Sequence, residues 1–250
     1  MKDELGTRMK TYYEDRFRYK LLRRSYTVVR IDGKGFSKYT KGLERPFDNF
    51  LIADMNEAAK YVCANVQNVK CAYVQSDEMS FLLTDFDDLN TQMYFDGNIQ
   101  KIVSVMSSYA TSKFNLERFK RVFRRDDHLR EQFSPINVMT YLDNTKLAQF
   151  DARVFQLPNR IETINYFRWR IQDCRRNSVS SVAQAKFSHK ELDEKSTLQK
   201  LEMLKGVGVD WEALEWDLKD GRGIFQSESY IDGVTRKKWA VMPFNEEWIP

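Results

Sequence analysis

The sequence predicts an α+β fold, a ferredoxin-like βαββαβ antiparallel sheet with helices on one face, and three observations predict it. Short β-branched runs alternate with stretches whose apolar residues recur at helical spacing. Two of the short runs are separated by only four polar residues, as in a hairpin. The order along the chain is strand, helix, strand, strand, helix, strand.

Each element has its own signal. Ser25 to Asp32, SYTVVRID, is a β-branched run entering a glycine-containing stretch, the pattern of a buried strand running into a loop. Asp48 is placed to cap a helix in which Leu51, Met55, Ala59, Val62 and Val66 form one apolar face, with Asp54, Glu57 and Lys60 on the other. Cys71 to Val74 and Met79 to Leu83 read as two strands flanking the polar Gln75-Ser76-Asp77-Glu78. After Asn98, the residues Ile99, Ile102, Val103, Met106 and Ala110 mark a second amphipathic helix. The charged stretch from Glu117 to about Gln132 reads as either a loop or a helical insertion within 117–149. FDARVFQLP alternates like a strand until Pro158 stops it.

A third helix begins near Asn159, where Asn159 and Glu162 have capping-box spacing. Beyond Ala185, Ser196 and Gln199 open a short helix ending near Gly206, and Asp210 caps another. SESYIDGVTRKKWAV reads as a hairpin around Asp232-Gly233. The expected organisation is a catalytic domain over 1–185 and a C-terminal helical and hairpin extension, 186–250, packed on it.

Composition narrows the function class. The chain has 250 residues, 42% of them hydrophobic and 14% aromatic, with only 10 Gly and 5 Pro, which excludes collagen-like and disordered readings. No apolar stretch approaches the roughly 20 residues of a membrane span, so a protein without a membrane segment is expected. Cys63, Cys71 and Cys174 are an odd set without a C-x-x-C, which argues against a disulfide framework and for a reducing compartment, the cytoplasm or an organelle. With only His128 and His189, a histidine triad has almost no material. The net charge of +4 permits a polyanionic partner without requiring one.

The chemistry-bearing residues converge through the topology. In a βαββαβ sheet the first and third strands are antiparallel neighbours, so Asp32 comes beside Asp77 and Glu78. Carboxylates gathered from separate elements repel, and a hard divalent cation such as Mg²⁺ makes the cluster favourable. Two such ions, roughly 3.5 to 4 Å apart, stabilise the attacking and departing oxygens of an in-line displacement at phosphorus. The same residues also fit an acidic turn before Gly33 and a polar hairpin tip. Beside them DGKGFSKYTK carries Gly33 and Gly35, which let backbone N–H groups curl toward a triphosphate, with charge from Lys34 and Lys38; a flexible strand-to-helix connection fits it equally. On the third helix Arg168, Gln172 and Arg175 share a face suited to RNA phosphates or simply to solvent, while Phe167 and Trp169 read as core or interface residues.

In this order, the strings RIDGKGF, QSDEMSF, FDARVFQLP and WRIQDCRRN resemble the tRNA-histidine guanylyltransferase superfamily, and within it the branch of 3′-to-5′ RNA polymerases that repair 5′-truncated tRNA. The resemblance spans about Arg8 to Ala185. It implies a polymerase-type palm holding two Mg²⁺ ions, with Asp32, the carbonyl of Gly33 and Asp77 as ligands and Glu78 in the same acidic, catalytic cluster. It implies that the backbone of Gly33, Lys34, Gly35, Phe36 and Ser37 holds the triphosphate. Arg45, Asp48 and Ser76 match positions for the nucleotide that activates the RNA 5′ end, Arg45 replacing a lysine, and Lys101 matches a phosphate-binding position. Arg168, Arg175 and Asn177 are the RNA-binding candidates. Implied substrates are ATP, GTP and other nucleoside triphosphates, with tRNA as the polymeric partner and a homotetramer as the assembly.

One departure carries information. Where enzymes specific for tRNA-histidine have H-I-N-N after W-R-x-x-D-C, this chain has Arg175-Arg176-Asn177-Ser178, which favours templated repair over untemplated guanosine addition. Two rival readings also fit parts of the sequence. A palm-type nucleotidyl cyclase carries G-G-D-E-F where this chain has Gln75-Ser76-Asp77-Glu78-Met79; a non-catalytic RNA-binding module would need an aromatic pattern that EMSFLL lacks.

Overall fold

The structure is a computed structural model that describes residues 3–125, 146–231 and 234–250. Its strands are β1 (Tyr26–Gly33), β2 (Val69–Gln75), β3 (Glu78–Leu83), β4 (Phe150–Leu157), β5 (Arg222–Ile231) and β6 (Val234–Met242). The helices are α1 (Glu4–Met9), α2 (Phe36–Tyr39), α3 (Asn49–Asn65), α4 (Ile99–Arg125), α5 (Arg160–Gln184), α6 (His189–Leu192), α7 (Thr197–Gly206) and α8 (Trp216–Lys219). One antiparallel sheet runs in the order β4-β1-β3-β2-β5-β6. Its first four strands are the expected ferredoxin-like arrangement, and the C-terminal hairpin extends the same sheet beyond β2.

The alternation of side chains along β1 and β3 divides the core in two. Val29 and Ile31 of β1, with Met79, Phe81 and Leu83 of β3, face one side, where Met55, Ala59 and Val62 of α3 and Ile102, Met106 and Phe114 of α4 cover them. Val28 and Leu82 face the other side, where Tyr166, Phe167 and Cys174 of α5 cover them. Helices therefore lie on both faces: α3 and α4 on one, as expected, and α5 opposite, a placement that strand order alone does not specify. Full burial of side chains such as Phe81 and Phe167 contributes about 1.5–3 kcal/mol each. A third cluster joins Val179, Val182 and Ala183 of α5 to Leu192, Leu204 and Trp211, with the Trp211 indole donating to Ser178 Oγ at 2.9 Å.

Local signals are realised where the sequence places them. Asp48 caps α3 by accepting from the Leu51 amide at 2.7 Å, and Asn159 caps α5 by accepting from the Glu162 amide at 2.9 Å. Ser196 and Gln199 form a reciprocal capping box on α7. The four-residue polar link at 75–78 contracts to a two-residue turn, because Gln75 pairs with Glu78 at the end of the ladder and only Ser76 and Asp77 remain outside. The helix after Asn98 continues into the charged stretch as far as Arg125, and its Arg118 and Arg121 flank the buried Asp54. The rest of the uncertain insertion, 126–145, and the expected hairpin tip at 232–233 lie outside the described residues.

Candidate active site

The site forms where β1 ends beside the β2–β3 turn. Register places Asp32 opposite Glu78 of β3 on one side and opposite Asp151 of β4 on the other. The chain then leaves β1 through Gly33, whose amide donates to the Asp77 carbonyl at 3.1 Å, and through Lys34, whose amide donates to the Gln149 carbonyl at 2.8 Å. A side chain at residue 33 would collide with the Phe36 ring and with Asp77 Oδ2, 2.8 Å from an ideal Cβ. Glycine is required here by close approach: the Asp77 carboxylate leans over the residue 33 backbone. Gly35 has φ +61°, the left-handed conformation that turns the chain into α2 and buries Phe36 against Phe114 and Phe150.

Of the five residues expected to cradle phosphate, two have already used their amides. Gly33 and Lys34 donate to Asp77 and Gln149 as part of sheet closure. The amides that remain for an anion are those of Gly35, Phe36 and Ser37, with the exposed side chains of Lys34 and Lys38 beside them.

Electrostatics separate the three expected carboxylates. Burial pushes the Asp77 carboxyl above the ordinary range, hydrogen bonds from Ser76 and its own backbone oppose this, and the charges of Asp32 and Glu78 raise it further. A cation beside Asp77 would relieve that crowding. Asp32 is partly exposed, with Arg153 at 3.9 Å, and the same guanidinium lies 3.7 Å from Asp151.

Glu78 requires a correction. Its two oxygens accept from Arg170 Nε at 2.8 Å and Nη2 at 2.6 Å, and Arg30 lies at 3.9 Å; Glu78 is only 7% exposed. With both oxygens committed to a buried guanidinium, Glu78 anchors the β3 end of the hairpin and is not a free ligand. Asp32 and Asp77 remain. Among the described residues no three His, Cys, Asp or Glu side chains are gathered to hold a metal by themselves. Two carboxylates and a carbonyl fit the sparse share that a protein gives Mg²⁺ when substrate phosphates and water complete the shell.

A cleft of about 340 Å³ opens beside this edge. Ser37 and Ser76 line it on the acidic side, Arg45 and Asp48 on the α3 side, and Asn177 on the α5 side, so the activation-site candidates and one RNA-binding candidate share it. Asp48 is also structural: besides capping α3 it accepts from the Glu44 amide at 3.3 Å and lies 3.7 Å from Arg118. Ser76, at φ +43°, donates to Asp77 Oδ1 at 3.0 Å and so orients that carboxylate.

Other candidates are placed elsewhere. Lys101 lies in the first turn of α4, its ammonium over the Phe95 ring at 5.7 Å. That end of α4 is tied to Tyr19 by the Ile99 amide, whereas Asn115, about 21 Å further along the helix, is the residue bound to Ala148 near the site. Lys101 therefore does not join the site within one chain. Arg168 is held by Glu246 through two bonds at 2.7 and 2.8 Å, and Arg175 by Asp220. Both are exposed but already paired. Trp169 is also exposed, under the Arg170 guanidinium at 4.4 Å, while Phe167 is fully buried.

Three residues near this edge lie outside the candidates drawn from the sequence: Arg170, Asp151 and Arg222. Arg170 has a visible signal, a charged residue in register with the buried positions Thr163, Phe167 and Cys174 of α5, which marks a buried ion pair. Asp151 and Arg222 have none, because only strand pairing brings them to this edge.

Comparison with known proteins identifies the family. Residues 6–158 match the family described as Thg1, tRNAHis guanylyltransferase. A bacterial tRNA(His) guanylyltransferase (Thg1)-like protein in complex with ATP is similar in structure at TM-score 0.81 and 36% identity, over 99% of this chain and 99% of that one. A bacterial protein of the same description in complex with GTP gives TM-score 0.72 and 36% identity, over 98% and 92%. The tRNA(His) guanylyltransferase of Schizosaccharomyces pombe is 29% identical over 242 residues, 92% of this chain and 78% of that protein. With a palm-type α+β sheet, an acidic edge and a matching family over most of its length, the chain belongs to the Thg1 (tRNAHis guanylyltransferase) family of nucleotidyltransferases.

Proposed function

We propose that this enzyme adds nucleotides in the 3′-to-5′ direction to the 5′ end of tRNA, directed by the opposite strand, and so repairs 5′-truncated tRNA. The observation that carries the reading is the convergence of Asp32, Gly33 and Asp77 at one sheet edge, beside a cleft of nucleotide size. Templated addition is favoured over guanosine addition to tRNA-histidine because Arg175 stands where the H-I-N-N histidine would be and is tied to Asp220.

Asp32 and Asp77, with the carbonyl of Gly33, are the ligands for two Mg²⁺ ions, which when bound neutralise developing charge and lower the pKa of an attacking hydroxyl. The amides of Gly35, Phe36 and Ser37 and the ammonium groups of Lys34 and Lys38 hold a triphosphate. ATP activates a 5′-monophosphate as an adenylylated end with loss of pyrophosphate, and the 3′-hydroxyl of the incoming nucleotide then attacks that phosphate and expels AMP. Ser76 fixes the carboxylate of Asp77, and the Arg170–Glu78 pair fixes the start of the strand that follows it. The enzyme is read as a homotetramer; exposed Leu5, Met9, Tyr12, Tyr13 and Phe17 supply an apolar surface suited to subunit contact, which light scattering checks.

The test uses a tRNA lacking its first nucleotide, with ATP, all four nucleoside triphosphates and Mg²⁺, for wild type, Asp32→Ala and Asp77→Ala. Extension by the complementary nucleotide, lost in both variants, supports the proposal. Guanosine addition to intact tRNA-histidine without templated extension would replace it with the His-specific activity. A cyclic product from GTP alone would replace it with a cyclase.

A further inference from the structure

The cleft beside the acidic edge has an unusual floor. Arg222, at the start of β5, is 3% exposed and Gln75, at the end of β2, is 2% exposed; both line the cleft. Arg222 Nε donates to Asn56 Oδ1 at 2.9 Å and Nη1 to the Asp217 carbonyl at 3.3 Å, which fixes the guanidinium plane. Among the described residues its Nη2 has no partner, and neither has Gln75 Oε1. A buried donor and a buried acceptor that stay unpaired are costly, so such atoms call for a ligand or a tightly held water.

The backbone around Arg222 is built to place it. Gly221, at φ +73°, passes so close to Tyr73 that a Cβ would lie 2.4 Å from the phenol oxygen. The same phenol donates to the Asp220 carbonyl at 2.7 Å, and Val74 of β2 pairs with Arg222. The rest of the wall includes apolar Leu43, Pro46, Phe47, Leu51 and Leu218 among polar residues such as Arg45 and Asp48, the mixed lining of a small-molecule site. Ser37 and Ser76 line the acidic side of the same cleft.

From this we infer that Arg222 and Gln75 read the base of the bound nucleotide: Arg222 Nη2 donates to an acceptor on the edge of a purine, and Gln75 Oε1 accepts from the neighbouring donor. Adenine offers N1 beside its 6-amino group, and guanine offers O6 beside N1–H. The two bases share this chemistry. The inference rests on the cleft being the nucleotide site of the proposed function, and it assigns base recognition to a β5 residue beyond the matched family segment, 6–158.

The experiment is calorimetric titration of wild type, Arg222→Met and Gln75→Met, in Mg²⁺, with ATP, GTP, purine riboside triphosphate and inorganic tripolyphosphate. Wild type is expected to bind ATP or GTP at least tenfold more tightly than tripolyphosphate. Each substitution is expected to weaken the preferred nucleotide at least tenfold and to leave tripolyphosphate unchanged. The nucleotide that loses more identifies the base. Purine riboside triphosphate, lacking the exocyclic group, should bind wild type weakly and be indifferent to Gln75→Met. Unchanged ATP and GTP binding in both variants, or equal loss of tripolyphosphate, overturns the inference. Thermal melting accompanies each protein, and if Arg222→Met does not fold, Gln75→Met decides. Base-dependent binding without RNA extension by wild type would leave the inference standing and refute the proposed function; templated extension with unaltered variants would do the reverse.

Discussion

Replacing Arg170 with methionine isolates the buried pair that anchors the catalytic hairpin. Arg170 and Glu78 are 5% and 7% exposed and share two hydrogen bonds of 2.8 and 2.6 Å. Removing one partner of such a pair costs about 3–5 kcal/mol, because the other charge is left buried. Here Glu78 keeps Ser80 at 3.3 Å and Arg30 at 3.9 Å, which places the loss at the lower end, about 3 kcal/mol. For a chain of this size that lowers the melting temperature by roughly 6–12 °C. The uncompensated charge also adds to the crowding at Asp77, so nucleotidyl transfer should fall with stability. The assay is thermal melting of Arg170→Met, Glu78→Leu and the double variant, with transfer rates measured well below each transition. The double variant should recover most of the lost stability, since two apolar groups replace two charges. A single-variant shift below about 3 °C, or a double variant as unstable as Arg170→Met, would refute the reasoning.

Other outcomes test neighbouring parts of the argument. Asp77→Asn should abolish transfer while melting at or above the wild-type temperature without Mg²⁺, because it removes one of three crowded negative charges; calorimetry and the extension assay check both halves. Gly33→Ala should reduce transfer at least tenfold, since the added methyl meets Phe36 and Asp77, and a gain in activity would contradict the close approach. Asp48→Ala should cost about 1 kcal/mol from the lost cap, with a further loss from Arg118, read as a melting shift of about 2–4 °C or more. Burial pushes the Cys71 thiol from 9.0 up to about 12 and raises Cys63 and Cys174 as well, so native thiols should resist alkylation at pH 8 and react only after unfolding. The same shift sets a sign: unfolded thiols lose protons first, so the stability contribution is complete below pH 9 and lost as pH rises from about 9 to about 12, measurable by urea titration across that window.

The features legible in the sequence are those set by neighbours in the chain. The strand at β1, the caps Asp48, Asn159 and Ser196, and a hairpin about the polar link 75–78 follow from local periodicity and side-chain geometry, and they define the sheet edge where Asp32 meets Asp77. What escaped depends on partners far apart. That Glu78 is bound by Arg170, 92 residues away, is invisible from QSDE, where an acidic pair reads as two free carboxylates. Lys101 shows the converse: its type suits phosphate, but a helix of 27 residues carries it to the far end of the sheet. The role of Arg222 needs both the pairing of β5 with β2 and the tight passage at Gly221, and neither leaves a pattern in RGIFQSESY.

The placement of β5 next to β2 also orders events in time. Cys71 to Val74 wait for Arg222 to Phe225 before that ladder can close, a loop of about 150 residues whose closure entropy must be met before any contact across it stabilises the chain. The helices and the β2–β3 hairpin can form from nearby sequence as the ribosome releases them. The floor of the cleft cannot. A nascent chain would thus hold its acidic edge before it can hold a base, and substrate recognition would be the last competence to appear during synthesis.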